Sequence, residues 1–89
     1  MNEKAPTVER THTETAAVIL RLYRAALDND TLTADSDFFE SDGDSMAAFE
    51  LTVGVHRELG VELPLGAVFT NPSPDLLTDA VLAIAAGRA

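Results

Sequence analysis

The chain has 89 residues, 46% of them hydrophobic, with fifteen acidic against six basic side chains, a net charge of −9 and no cysteine. That length allows one small domain, and the hydrophobic fraction calls for a packed core rather than a disordered chain. The charge speaks against nucleic acid and anionic membrane surfaces as partners, since phosphate is repelled, and without thiols the fold has neither disulfides nor thiolate metal sites to lean on.

Residues 1–11 are polar and irregular, so the reading is a flexible N-terminal arm followed by one domain over 12–87. The opening MNEKAPTVER lacks the apolar stretch of a signal peptide, and AVLAIAA (80–86) is far too short to span a bilayer, which makes a cytoplasmic protein the expectation. Thr11 and Glu14 have the spacing of a capping box, and the first helix runs from there to about Leu27. Its apolar residues Ala16, Ile19, Leu20, Tyr23 and Leu27 recur with the helical period, and Val18 and Leu22 widen the stripe. DNDTLTADSDFFESDG (28–43) is a long connection dense in turn formers, with Leu32, Phe38 and Phe39 as its expected anchors. Seven acids lie between residues 28 and 44, and no Lys or Arg occurs from Ala25 to His56. Such a segment is either a solvated acidic loop or a surface that meets a basic partner.

A second helix follows from Ser45 to Leu59, stopped by Gly60. Ala48, Leu51, Thr52, Val55 and Leu59 make one stripe for the core. Met46, Phe49, Val53 and Arg57 make another, roughly 100° away. Either this helix is wrapped on both sides, or the second stripe is a docking face to which Asp42 and Glu50 add charge; adaptable Met and aromatic groups suit the latter. A short third helix fits around Gly66–Thr70, with Val68 and Phe69 inward. Ser73 caps a fourth, Pro74 occupies its first turn, and Leu76, Leu77, Ala80, Val81 and Ile84 form its buried face. No alternation of period two is long enough for a strand. The expectation is an all-α bundle of three main helices and one short one.

Ser45 could be no more than a cap. Asp44 can do that work, however, and Gly43 lets the chain turn sharply and leaves the hydroxyl accessible. The helix start behind Ser45 offers unpaired N–H groups and a positive dipole end, which favour a phosphate on the serine oxygen. The sequence speaks against a hydrolase, since neither histidine is placed to serve Ser45 as a base. His12 lies near the arm, and His56 is eleven residues along the same helix, roughly 16 Å of rise away. An EF-hand read through Gly43 would put Phe38 and Phe49 where oxygen ligands are needed, and no glycine-rich phosphate loop is present. No residue is assigned as catalytic or as a metal ligand.

DSDFFESDGDSM (35–46) resembles the D-x-x-F-F-E-x-x-G-x-S-L signature of the phosphopantetheine-dependent carrier proteins of nonribosomal peptide, polyketide and fatty-acid synthesis. HRELGVELPLGAVFTNPSPDLL (56–77) is similar to the same family's passage from the second helix into the fourth, so the likeness covers about residues 13–86. It implies an acyl-carrier-protein-like four-helix bundle in which Ser45, flanked by Gly43 and Asp44, is esterified by 4'-phosphopantetheine from coenzyme A. The arm then holds acyl or aminoacyl groups as thioesters, and the carrier itself catalyses nothing. The implied partners are a phosphopantetheinyl transferase, an adenylating or acyl-transferring loading enzyme, and downstream condensing or tailoring enzymes, met by a monomer through Asp42, Met46, Phe49, Glu50 and Val53. Two departures stand out: Ser41 and Asp42 replace the usual Leu and Gly, and Ala47 and Arg57 stand where fatty-acid carriers tend to be acidic. FFE and GVELPL look peptidyl and NPSP looks polyketide-like, so a discrete, free-standing peptidyl carrier is the first reading and an acyl carrier the second. From another class, an unmodified helical interaction module remains the alternative, and it forbids a covalent adduct.

Overall fold

The computed structural model describes residues 11–87. The arm expected over residues 1–11 lies, apart from Thr11, outside the described residues. Thr11 Oγ1 accepts the N–H of Glu14 and the Glu14 carboxylate accepts the N–H of Thr11, so the first helix opens on the expected capping box. Four helices follow in order: α1 (His12–Leu27), α2 (Ser45–Leu59), α3 (Leu65–Thr70) and α4 (Pro74–Ala85). No strand occurs among the described residues. Each end has a local cause. Asp28 closes α1 in the left-handed region at φ 51°, Gly60 closes α2 at φ 70°, and Ser73 Oγ accepts Leu76 N–H to start α4 with Pro74 at its first position.

α1 packs against both α2 and α4, while α3 spans α2 and α4. The core between them is built from Ile19 and Tyr23, Ala48, Leu51 and Val55, Val68, and Leu77 and Val81, with Leu32 and Phe38 added by the α1–α2 connection. On α4 the buried arc is rotated from the expected one. Pro74, Leu77, Thr78 and Val81 are buried at the i, i+3, i+4, i+7 spacing, and Leu76 is exposed. The buried Thr78 hydroxyl is satisfied by donating to Pro74 O at 2.7 Å. Ala80 and Ile84 sit at the half-buried edge of the arc.

The connection 28–43 is held at three points. Arg24 donates from Nε and Nη2 to Leu32 O at 2.9 and 2.7 Å, Ala34 O accepts Asp75 N–H at 2.8 Å, and Phe38 N–H donates to Pro72 O at 2.6 Å. Phe38 is fully buried, with edge-to-face contacts to Tyr23, Phe39 and Phe69. Phe39, expected as an equivalent anchor, is 52% exposed. It is held by stacking on Phe69, with ring centroids 5.9 Å apart, rather than by burial.

Candidate functional site

The segment before Ser45 is wound into successive turns. Asp37 Oδ2 accepts Glu40 N–H at 2.8 Å, Asp37 O accepts Ser41 N–H, Phe39 O accepts Asp42 N–H, and Phe38 O accepts Gly43 N–H at 2.8 Å. The left-handed residue of this segment is Asp42, at φ 68°. Gly43 is therefore needed for a different reason from the sharp turn expected of it. A Cβ at this position would lie 2.5–2.6 Å from three carbons of the Phe38 ring, so only glycine lets the backbone pass over that ring. Asp42 occupies a conformation that glycine adopts freely and that Asp tolerates better than most residues.

Asp44 then caps α2 from extended backbone, its Oδ1 accepting Ala47 N–H at 2.9 Å and its carbonyl accepting Ala48 N–H at 2.9 Å. Capping is thus complete without the serine. Ser45 is the first residue of α2, and its side chain is exposed. The N–H groups of Ser45 and Met46 precede the first intrahelical bonds and point out of the helix end. An accessible hydroxyl beside two such donors and the positive end of a 15-residue helix suits a phosphate group esterified to Oγ. The start of α2 thus fits the phosphate of a phosphopantetheine group on Ser45. Neither histidine stands near Ser45 to act as its base. His12 Nε2 pairs with Asp79 Oδ1 at 3.1 Å, joining α1 to α4, and His56 sits at the far end of α2. Among the described residues, no group of three or more His, Cys, Asp or Glu side chains is arranged to hold a metal ion.

The second stripe of α2 is open to solvent. Met46 is 65% exposed and Phe49 57%, and Val53, Glu50 and Asp42 are exposed as well. The helix is therefore not wrapped on both sides, and its two stripes have different surroundings. Phe49, Glu50, Val53 and Arg57 form one wall of a groove of about 300 Å³ whose other side is Leu22, Ala25 and Ala26 of α1. The α1 half of this groove was not legible in the sequence. One signal for it existed: Gly54, inside a helix where glycine costs about 1 kcal/mol relative to alanine, faces α1 so closely that a Cβ would come within 2.8 Å of Leu22 Cδ2. Tyr23, beneath the site, has a buried hydroxyl without a hydrogen-bond partner, and burial, with Asp37 nearby, pushes its pKa well above the usual tyrosine value.

The family model described as "Phosphopantetheine attachment site" matches residues 16–81. Indigoidine synthase of Streptomyces lavendulae is 37% identical over 65 residues, which cover 73% of this chain and 5% of that protein. The nonribosomal peptide synthetase TES of Alternaria alternata is 39% identical over 57 residues, covering 64% of this chain and 1% of that one. The chain therefore spans only a few per cent of the length of these curated relatives. Among solved structures, BlmI of Streptomyces verticillus, a type-II acyl carrier protein involved in bleomycin biosynthesis, superimposes with a TM-score of 0.77 at 22% identity, over 81% of this chain and 87% of that one. That likeness establishes the fold.

Proposed function

The chain belongs to the phosphopantetheine attachment-site family, whose members take up 4'-phosphopantetheine covalently, and on that premise we propose that it is a carrier protein modified at Ser45. The observation that carries this reading is the division of labour at the start of α2. Asp44 caps the helix, and the Ser45 hydroxyl next to it is left exposed and unused. Ser45 Oγ would attack the pantetheine-side phosphorus of coenzyme A, the pyrophosphate bond would break to release adenosine 3',5'-bisphosphate, and the serine proton would pass to a base of the transferase. The Ser45 and Met46 N–H groups and the dipole of α2 stabilise the charge on the phosphate. Gly43 and Phe38 fix the approach of the chain to the helix. When attached, the group supplies a thiol on a flexible arm, on which an acyl or aminoacyl cargo is held as a thioester.

Residues 12–87 act as the single carrier domain, in the cytoplasm where coenzyme A is the donor. Asp42, Met46, Phe49, Glu50 and Val53 meet the transferase and the loading enzyme. The cargo is an amino acid delivered by an adenylating enzyme. The FFE and GVELPL segments and the relation to a nonribosomal peptide synthetase support that choice over an acyl group. The family is in general non-catalytic, and this chain is read as a carrier and not an enzyme.

The test is intact mass after co-expression with a broad-specificity phosphopantetheinyl transferase. One adduct per chain is expected, and Ser45→Ala should lose it while keeping its helical circular dichroism. An adduct on the Ser45→Ala chain overturns the assignment of Ser45, and none on the wild type overturns the carrier reading and leaves the unmodified interaction module standing.

A further inference from the structure

We propose that the groove between α1 and α2 receives an amphipathic helix of a partner enzyme, apolar in the middle, basic at the end nearest Ser45 and acidic at the end nearest Arg57. This deepens the carrier reading, since the partner is one that works at Ser45, but the groove itself needs neither Ser45 nor its modification.

The shape argues for a helix. Phe49, Val53 and Arg57 stand at i, i+4 and i+8 on α2, a ridge about 12 Å long, and Ala25 and Ala26 of α1 leave a depression beside it. Gly54 draws the two helices together just behind that ridge by admitting Leu22. Two helical turns of a partner, anchored at i, i+4 and i+7, match such a trough.

The charges argue for polarity. Glu50 lies toward the start of α2, and Asp42 and Asp44 lie beyond it. At the other end Arg21 of α1 donates twice to the Glu58 carboxylate, once at 3.1 Å, and Arg57 Nη2 stands 3.9 Å from the same carboxylate with its side chain largely in water. Two guanidinium groups thus stand about the Glu58 carboxylate at this end, with Glu62 beyond Arg57, while at the other end Asp42, Asp44 and Glu50 have no Lys or Arg among residues 25–56. A helix carrying Lys or Arg toward Ser45 and Asp or Glu toward Arg57 is complementary at both ends. A second copy of the chain is a poor occupant, because each copy carries a net charge of −9.

The experiment uses fluorescently labelled helical peptides of roughly 18 residues, long enough to hold a helix in water, that share one Leu stripe. One peptide has Lys at one end and Glu at the other; its twin has Lys at both. Anisotropy titrations with the full-length chain should show binding of the bipolar peptide. Arg57→Glu should lower the affinity for the bipolar peptide relative to the all-Lys twin by about fivefold, the scale of one exposed ion pair. Ala25→Glu, which places a carboxylate in the apolar trough, should weaken both peptides. No binding to the wild type, or an affinity ratio unmoved by Arg57→Glu, overturns the groove. Ser45→Ala should bind both peptides as the wild type does; should the adduct test fail while this pattern holds, only the carrier reading falls.

Discussion

Tyr23 is the chain's single tyrosine, and it is wholly buried against Phe38 with its hydroxyl unpaired. Because burial disfavours the phenolate, the folded pKa lies above the ordinary 10.0. Above that pH the unfolded chain has lost the phenolic proton and the folded chain keeps it, so stability falls as pH rises from there toward the folded pKa. Tyr23→Phe should be close to neutral at pH 7, because the lost hydroxyl made no hydrogen bond, and should be the more stable protein above pH 10. Urea titrations of both proteins across that range check this; equal alkaline losses would refute it. Gly43 offers a second test at the same scale. Gly43→Ala drives a methyl into the Phe38 ring and should cost about 1–3 kcal/mol. Adding Phe38→Leu to Gly43→Ala should then cost less than the sum of the two single changes, whereas strict additivity would mean that the close approach is not the cause.

At the scale of the element, α2 has a capped start and an exposed outer stripe, carried by different residues. Its start depends on Asp44, so Asp44→Ala should destabilise by about 1 kcal/mol, a fall of roughly 4–8 °C in Tm for a domain of this size. Asp44→Asn keeps a capping oxygen and should retain most of that stability. Equal losses in the two variants would mean that the charge and not the cap is responsible. Its outer stripe depends on exposure. Phe49→Ala should lower stability far less than the ~3–5 kcal/mol of a buried phenylalanine and should slow modification by the transferase more than it lowers Tm. A loss on the scale of a core residue would return Phe49 to the interior.

Across the whole molecule the charge is unevenly spread. The acids gather in the connection that leads to Ser45, and the described arginines 21, 24 and 57 lie on α1 and the far half of α2. A partner approaching Ser45 meets a negative field, which steers a basic entrance toward it. The rate of phosphopantetheinylation at low carrier concentration should therefore fall steeply between 0.1 and 1 M salt, as the Debye length shrinks from ~10 to ~3 Å. Asp42→Lys or Glu50→Lys should slow it and flatten that dependence. Rates insensitive to salt in the wild type would remove the electrostatic account and leave Ser45 untouched.

The four helices, their caps at Thr11, Asp44 and Ser73, the stop at Gly60 and the place of Ser45 at a helix start were all legible in the chain. They rest on hydrogen bonds and apolar spacings within a few residues, and so does the motif that carries the family resemblance. What the sequence did not contain are distances between remote segments. The rotation that buries Thr78 and exposes Leu76 depends on where α1 lies against α4. The stacking that holds a half-exposed Phe39 depends on Phe69, thirty residues on, and the need for glycine at 43 depends on a ring five residues earlier folded back beneath it. The groove beside Phe49 is shared by two helices, and Gly54 lets Leu22 of α1 come close against α2 beside it. Local chemistry fixes which segments are helical and where they end; only the packing of those segments decides which of their outer side chains share a surface.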